Sequence, residues 1–273
     1  MNGFTKYNFH THTYRCKHAD GTEREYIESA IKNNIKVLGF ADHVPCPFKE
    51  KGRVSTIRMD MSEAPEYVMT LKKLKEEYKK DIDIYIGFEA EYIPEFYPEQ
   101  VQMCRELDCD YMIMGPHFLS GEPGVMYTGN RTRLPERIKA YVDSVLEGAA
   151  TGNFMYIAHP DLLHFAGDKK VYRSHMTRLC EGLKEMDIPI EINNVGMAGK
   201  RHYPTPEFWE IAGQVGNVTV IGLDAHNIRD MENREAYGKC MELAEKYNVN
   251  FLTEPEQVLP YMERTKNNIQ KTD

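Results

Sequence analysis

The sequence predicts an α/β fold, a distorted (β/α)7 barrel. Short apolar runs alternate seven times with helix-patterned segments, and run after run ends in His, Asp or Glu. Strands such as 218–223 are apolar without alternation, as expected where helices cover a parallel sheet. Reactive side chains at the carboxyl ends of many strands fit a ring. An open doubly wound sheet gathers its ligands at one switch point.

The first run ends in Tyr7-Asn8-Phe9-His10-Thr11-His12. Residues i and i+2 of a strand share a side, so both imidazoles face one point. Thr22 and Glu25 have capping-box spacing before a stripe of Ile27, Ala30 and Ile31. Strand 36–41 ends at Asp42-His43. A long loop follows, carrying Lys51, Arg53 and Arg58 as candidate lid cations. Ser62 is the expected cap of a helix bearing Val68, Leu71, Leu74 and Tyr78. Strand 82–88 leads to Glu89-Ala90-Glu91. A short helix holds Val101, Cys104 and Leu107, and strand 111–114 leads through Gly115-Pro116 to His117. After a helix near 134–149, strand 155–158 ends in His159-Pro160-Asp161. A helix with Met176, Leu179, Leu183 and Met186 precedes strand 188–193. Thr205-Pro206 opens a further helix, and strand 218–223 ends in Asp224-Ala225-His226. Asp230 is read as the cap of the next helix, 251–253 as a small closing strand, and 264–273 as a frayed polar tail after one barrel domain over 1–263.

With 273 residues, one substantial core is possible. The balance of 41% hydrophobic and 28% charged residues is that of a globular protein. No apolar run reaches the length of a membrane span, and residues 1–20 lack a signal-peptide core, so a cytoplasmic protein without membrane contact is expected. A net charge of -8 argues against a nucleic-acid surface. Six cysteines without a Cys-x-x-Cys pair argue for free thiols and against a zinc-thiolate site.

His10, His12, His18, His43, Glu89, His117, His159, Asp224 and His226 form a set too large for one ion. Imidazole with carboxylate suits zinc, manganese or iron. The order of these residues resembles the PHP (polymerase and histidinol phosphatase) family, with its TIM-barrel-like fold, and within it the stand-alone histidinol-phosphate phosphatases. Residues 87–92 (GFEAEY), 158–161 (AHPD) and Tyr203-Pro204 before a helix carry the same likeness. The resemblance implies three divalent ions. His10, His12, Glu89 and Asp224 would hold the first; Glu89, as a bridge, with His117 and His159 the second; His18, His43 and His226 the third. It implies Glu89, Asp224 and His226 as catalytic residues, and hydrolysis of L-histidinol phosphate in histidine biosynthesis by a metal-bound hydroxide. Such a pocket stays net positive and suits a phosphate monoester.

Arg201 is the candidate phosphate-binding residue. Asp42, Asp161 and Glu91 are candidates for orienting the liganding imidazoles from behind. Other small phosphate esters or phosphotyrosine remain alternative substrates. An amidohydrolase-like C–N hydrolase and a non-catalytic metal-binding module are the rivals from other classes.

Overall fold

The computed structural model describes residues 3–48, 52, 54–120 and 125–271. The strands are β1 (Tyr7–Asn8), β2 (Val37–His43), β3 (Asp83–Ala90), β4 (Tyr111–Met114), β5 (Ile190–Asn193), β6 (Val218–Gly222) and β7 (Asn250–Phe251). All pairings are parallel, in one sheet of order β1-β2-β3-β4 and one of order β5-β6-β7. Single bridges join the two sheets. Ile157 pairs with Met114 on one side and Ile190 on the other, and Thr11 pairs with Ala225. The curled sheet therefore meets itself, as expected for a distorted barrel.

Segment 155–158 is reduced to that one bridging residue. It still exchanges backbone hydrogen bonds with both neighbours, Ala158 N–H donating to Met114 O and Ile157 N–H to Pro189 O. His159, at φ 30°, turns the chain away before a longer ladder can form. β1 is also shorter than the sequence suggests. The Asn8 amide donates to His10 O and Thr11 Oγ1 and so replaces ladder bonds beyond residue 8.

The described α-helices are α1 (Glu23–Lys32), α2 (Ala64–Tyr78), α3 (Tyr97–Glu106), α4 (Pro135–Ala150), α5 (Lys169–Glu185), α6 (Asn194–Ala198), α7 (Pro206–Val215), α8 (Ile228–Met231), α9 (Arg234–Lys246) and α10 (Pro255–Gln270). Thr22 and Glu25 form the expected capping box on α1. Two caps differ from expectation. A 3-10 turn, Met61–Glu63, precedes α2, with Asp60 rather than Ser62 as its cap. Asp230 lies inside α8, and Asn233 caps α9 by accepting from Ala236 N–H. Residues 264–270 are the last turns of α10 rather than a frayed tail, because Thr265 and Ile269 are buried against the body of the protein. Among the described residues no helix is long and apolar enough to cross a membrane.

Side-chain parity places the site. On β2, Leu38 and Phe40 face the helices, while Val37 and Ala41 fill the barrel interior and His43 continues that inner face. On β3, Ile84, Ile86 and Phe88 pack outwards, so Gly87, Glu89 and Glu91 follow one another inwards. Strand register then sets His43 directly opposite Glu89. The interior is apolar at its floor, with Phe9, Tyr111 and Tyr156, and ionisable at the carboxyl ends of the strands.

Candidate metal centre

Glu89 sits at the centre of the ring and is 1% exposed, so its charge is isolated from water. Five imidazoles approach it. His10 Nε2 is 3.4 Å, His159 Nε2 3.0 Å and His117 Nε2 3.6 Å from Oε1; His12 Nε2 is 3.3 Å and His43 Nδ1 3.1 Å from Oε2. Asp224, just past β6, brings Oδ1 within 3.3 Å of His10 and 3.4 Å of His12. His226 Nε2 lies 3.1 Å from His18 Nε2, and His18, His43 and His226 form one compact trio of ligand atoms. All nine residues singled out in the sequence thus meet at one end of the barrel. Asp224 and His159, at φ 51° and 30°, occupy the left-handed region, a strained backbone of the kind found where function constrains it. Glycine makes the close packing possible: a Cβ at Gly115 would collide with Glu89 and His117, and one at Gly222 with Glu191.

The hydrogen bonds behind the rings fix where their lone pairs point. His18 Nδ1 lies 2.7 Å from Cys16 O, and His226 Nδ1 2.9 Å from Asp224 O. A carbonyl only accepts, so both Nδ1 atoms carry hydrogen. In neutral rings the two Nε2 atoms, 3.1 Å apart, then aim bare lone pairs at each other. His10 Nδ1 is held by Glu191 Oε2 at 2.8 Å and His117 Nδ1 by Glu91 Oε1 at 3.1 Å, which turns their Nε2 lone pairs towards the carboxylates of Glu89 and Asp224. His10 Nε2, both nitrogens of His12, His43 Nδ1 and Glu89 Oε2 are buried without a hydrogen-bond partner. Such a collection of inward lone pairs is repulsive on its own and is satisfied by cations, so the donor set fits divalent metal ions. The possible ligand groups include His10 with His12 and Asp224, His10 with Glu89 and His159, and His18 with His43 and His226.

Protonation follows the same demand. Burial would lift the carboxyls of Glu89 and Asp224, but the surrounding histidines outweigh it and hold both well below the usual range. Burial lowers His10, yet Glu191, Asp224 and Glu89 together push it well above its ordinary value. Burial, with the charge of His12, takes His226 down to about 3. The cluster thus holds ionised carboxylates beside at least one ring that stays neutral.

Above the cluster is a cavity of about 660 Å³, lined in part by His18, Glu89, His159, Tyr127, Tyr203 and Arg201. Arg201 stands exposed at its rim and donates to the Tyr203 hydroxyl at 2.7 Å. Arg58 does not belong to a lid. It is 1% exposed and its guanidinium donates to both oxygens of Glu91, at 3.0 and 3.2 Å. Burial raises the Glu91 carboxyl, but Arg58 and His117 together outweigh it, and the pKa falls to about 2. Lys51 and Arg53 lie outside the described residues.

Of the three carboxylates expected behind the imidazoles, only Glu91 contacts a ring. Asp42 instead accepts from Thr13 N–H at 2.9 Å and Thr13 Oγ1 at 2.7 Å, and Asp161 accepts from Thr205 N–H. Both point along the backbone and brace loops that carry site residues. Glu191, absent from the sequence-based set, takes the place envisaged for them behind His10. Its signal was available: it is the one charged residue in strand 188–193. Asn193, two residues on, donates to Glu191 Oε1 at 2.8 Å and Asp224 Oδ2 at 3.0 Å.

The family model of the PHP domain matches residues 8–195, which span the ring from His10 through His159. The chain belongs to the PHP family. Among curated PHP relatives, the probable histidinol-phosphatase of Deinococcus radiodurans is 29% identical over 227 residues, covering 80% of this chain and 85% of that protein. The histidinol-phosphatase of Bacillus subtilis is 32% identical over 116 residues, 40% of this chain and 43% of that one. Among solved structures, histidinol phosphate phosphatase from Lactococcus lactis, complexed with zinc, L-histidinol and phosphate, superposes with a TM-score of 0.70 at 18% identity, covering 91% of this chain and 95% of that one. At that identity the match speaks for the PHP fold.

Proposed function

We propose that this chain is a metal-dependent phosphomonoesterase that hydrolyses L-histidinol phosphate to L-histidinol and phosphate, a step of histidine biosynthesis. The observation that carries the reading is the inward set of imidazole lone pairs around Glu89 and Asp224. The two histidinol-phosphatase relatives support the choice of substrate.

His10, His12, Glu89 and Asp224 would hold one divalent ion, Glu89, His117 and His159 a second, and His18, His43 and His226 a third. Zinc is the favoured identity, since imidazole and carboxylate suit it and the Lactococcus protein binds it. When bound, such ions supply Lewis acidity at the phosphoryl oxygens and lower the pKa of the attacking water. Glu89, with imidazoles approaching both of its oxygens, is the residue that the first two ions would share. Glu191 and Glu91 hold His10 and His117 in the tautomer that leaves Nε2 free. Arg201, on the cavity rim, is placed to bind phosphate oxygens through its guanidinium fork, with Tyr203 fixing its orientation. Tyr127 and Tyr203 give the cavity an aromatic wall for the leaving alcohol.

The test is phosphate release by metal-loaded protein from L-histidinol phosphate beside sugar, amino-acid and nucleotide phosphates and phosphotyrosine. Strong preference for L-histidinol phosphate is expected. Comparable weak turnover of many esters would discard the substrate and retain the ester chemistry. No release from protein shown to hold its metals would overturn the reading.

A further inference from the structure

Four histidines of the cluster are steadied from behind by a named acceptor, and among the others His12 is the one with both ring nitrogens buried and unpartnered. Glu191 serves His10, Glu91 serves His117, the Cys16 carbonyl serves His18 and the Asp224 carbonyl serves His226. His12 is 0% exposed and neither of its ring nitrogens has a hydrogen-bond partner. Its Nε2 faces Glu89 Oε2 at 3.3 Å and Asp224 Oδ1 at 3.4 Å. Once that nitrogen is given to a cation, Nδ1 carries the hydrogen and needs an acceptor on the outer side.

The side chain in reach is Cys16. Its sulfur lies within 4.8 Å of a ring nitrogen of His12 and of one of His226. The turn that presents it is firmly built. Thr13 is pinned by both oxygens of Asp42, Cys16 N–H donates to Thr13 O at 3.0 Å, and Lys17 at φ 65° folds the chain back so that His18 rejoins the cluster. Cys16 itself is fully buried, which removes it from the reach of external thiol chemistry and leaves packing or positioning as its role.

We propose that Cys16 is the positioning residue of His12: its sulfur accepts the Nδ1 hydrogen and holds the ring in the tautomer that leaves Nε2 for the metal. This rests on the metal-centre reading above. It adds a soft, polarisable acceptor to a ring of otherwise oxygen acceptors.

The experiment loads the full-length protein, selectively labelled with nitrogen-15 histidine, with zinc. It compares wild type, Cys16→Ala and Cys16→Ser by NMR, by zinc affinity and by thermal unfolding. Wild type is expected to show His12 as the Nδ1–H tautomer with slowed hydrogen exchange. Cys16→Ala should lose that protection and bind zinc roughly 10- to 100-fold more weakly. Cys16→Ser, whose hydroxyl also accepts, should recover most of both. Wild-type zinc affinity and an unchanged His12 signal in Cys16→Ala would overturn the proposal while leaving the metal centre standing. Equal thermal destabilisation of both variants with no change in zinc affinity would mark Cys16 as a packing residue and overturn it too. Failure of the wild-type protein to bind zinc would overturn both this proposal and the metal reading beneath it.

Discussion

Glu191 puts a carboxylate in the middle of a strand whose neighbours, Ile190 and Ile192, are fully buried among apolar side chains. A charge so placed is expensive unless hydrogen-bonded, and His10 Nδ1 and Asn193 Nδ2 both bond to it. Glu191→Gln should therefore keep the shape of the site and lose the charge that fixes the His10 tautomer. The expected outcome is a roughly 10- to 100-fold loss of metal affinity at the His10 position, read by titrating metal-free protein. Unchanged affinity would show that His10 needs no partner. The nine candidate ligands were legible because His, Asp and Glu stand out at the ends of apolar runs. Glu191 stands out as the one charged residue of its strand, but its role behind His10 depends on which face of the strand meets the barrel interior, which the sequence leaves open. Asp42 and Asp161 misled for a related reason: being next to a histidine in sequence does not decide whether a carboxylate meets a ring or a backbone N–H.

Among the elements, the loop between β5 and α7 shows how a buried carboxylate tunes a binding surface. Asp161, two residues after His159 in the chain, reaches across to the Thr205 N–H and anchors the segment that carries Arg201 and Tyr203. Burial raises its pKa from 3.8 to about 7. A carboxyl whose pKa is raised on folding binds its proton more tightly in the folded chain. The resulting stability is complete below about pH 4 and is lost as pH rises through about 7. In urea unfolding across that window, wild type should lose stability with rising pH relative to Asp161→Asn, which lacks this titration; parallel profiles of the two proteins would refute this role. The helices read from capping patterns and apolar stripes were found where those signals were strong, as with Thr22 and Glu25 before α1. The pattern was weaker for α6 and α10. α6 is only five residues long, and α10 contains Pro260 and a polar surface, so its burial against the barrel leaves little periodic trace.

For the whole molecule, the ring was readable in outline because candidate ligands on so many strand ends require one. Its distortion was not. Closure depends on single bridges at Ile157 and at Thr11 with Ala225, and these sit beside the Asn8 side-chain bonds and the backbone turns at His159 and Asp224, which no apolar pattern encodes. Those same turns swing His10, His159 and Asp224 into one cluster, so the places where the sheet departs from regularity are where the chemistry is assembled. The most direct test of the account is phosphate release from L-histidinol phosphate by protein stripped with a chelator, then reloaded with zinc while bound metal is counted. Activity should vanish with the metal and return with it, and Glu89→Ala should fail to recover both metal content and turnover. Full activity in the stripped protein, or wild-type metal content and turnover in Glu89→Ala, would contradict it.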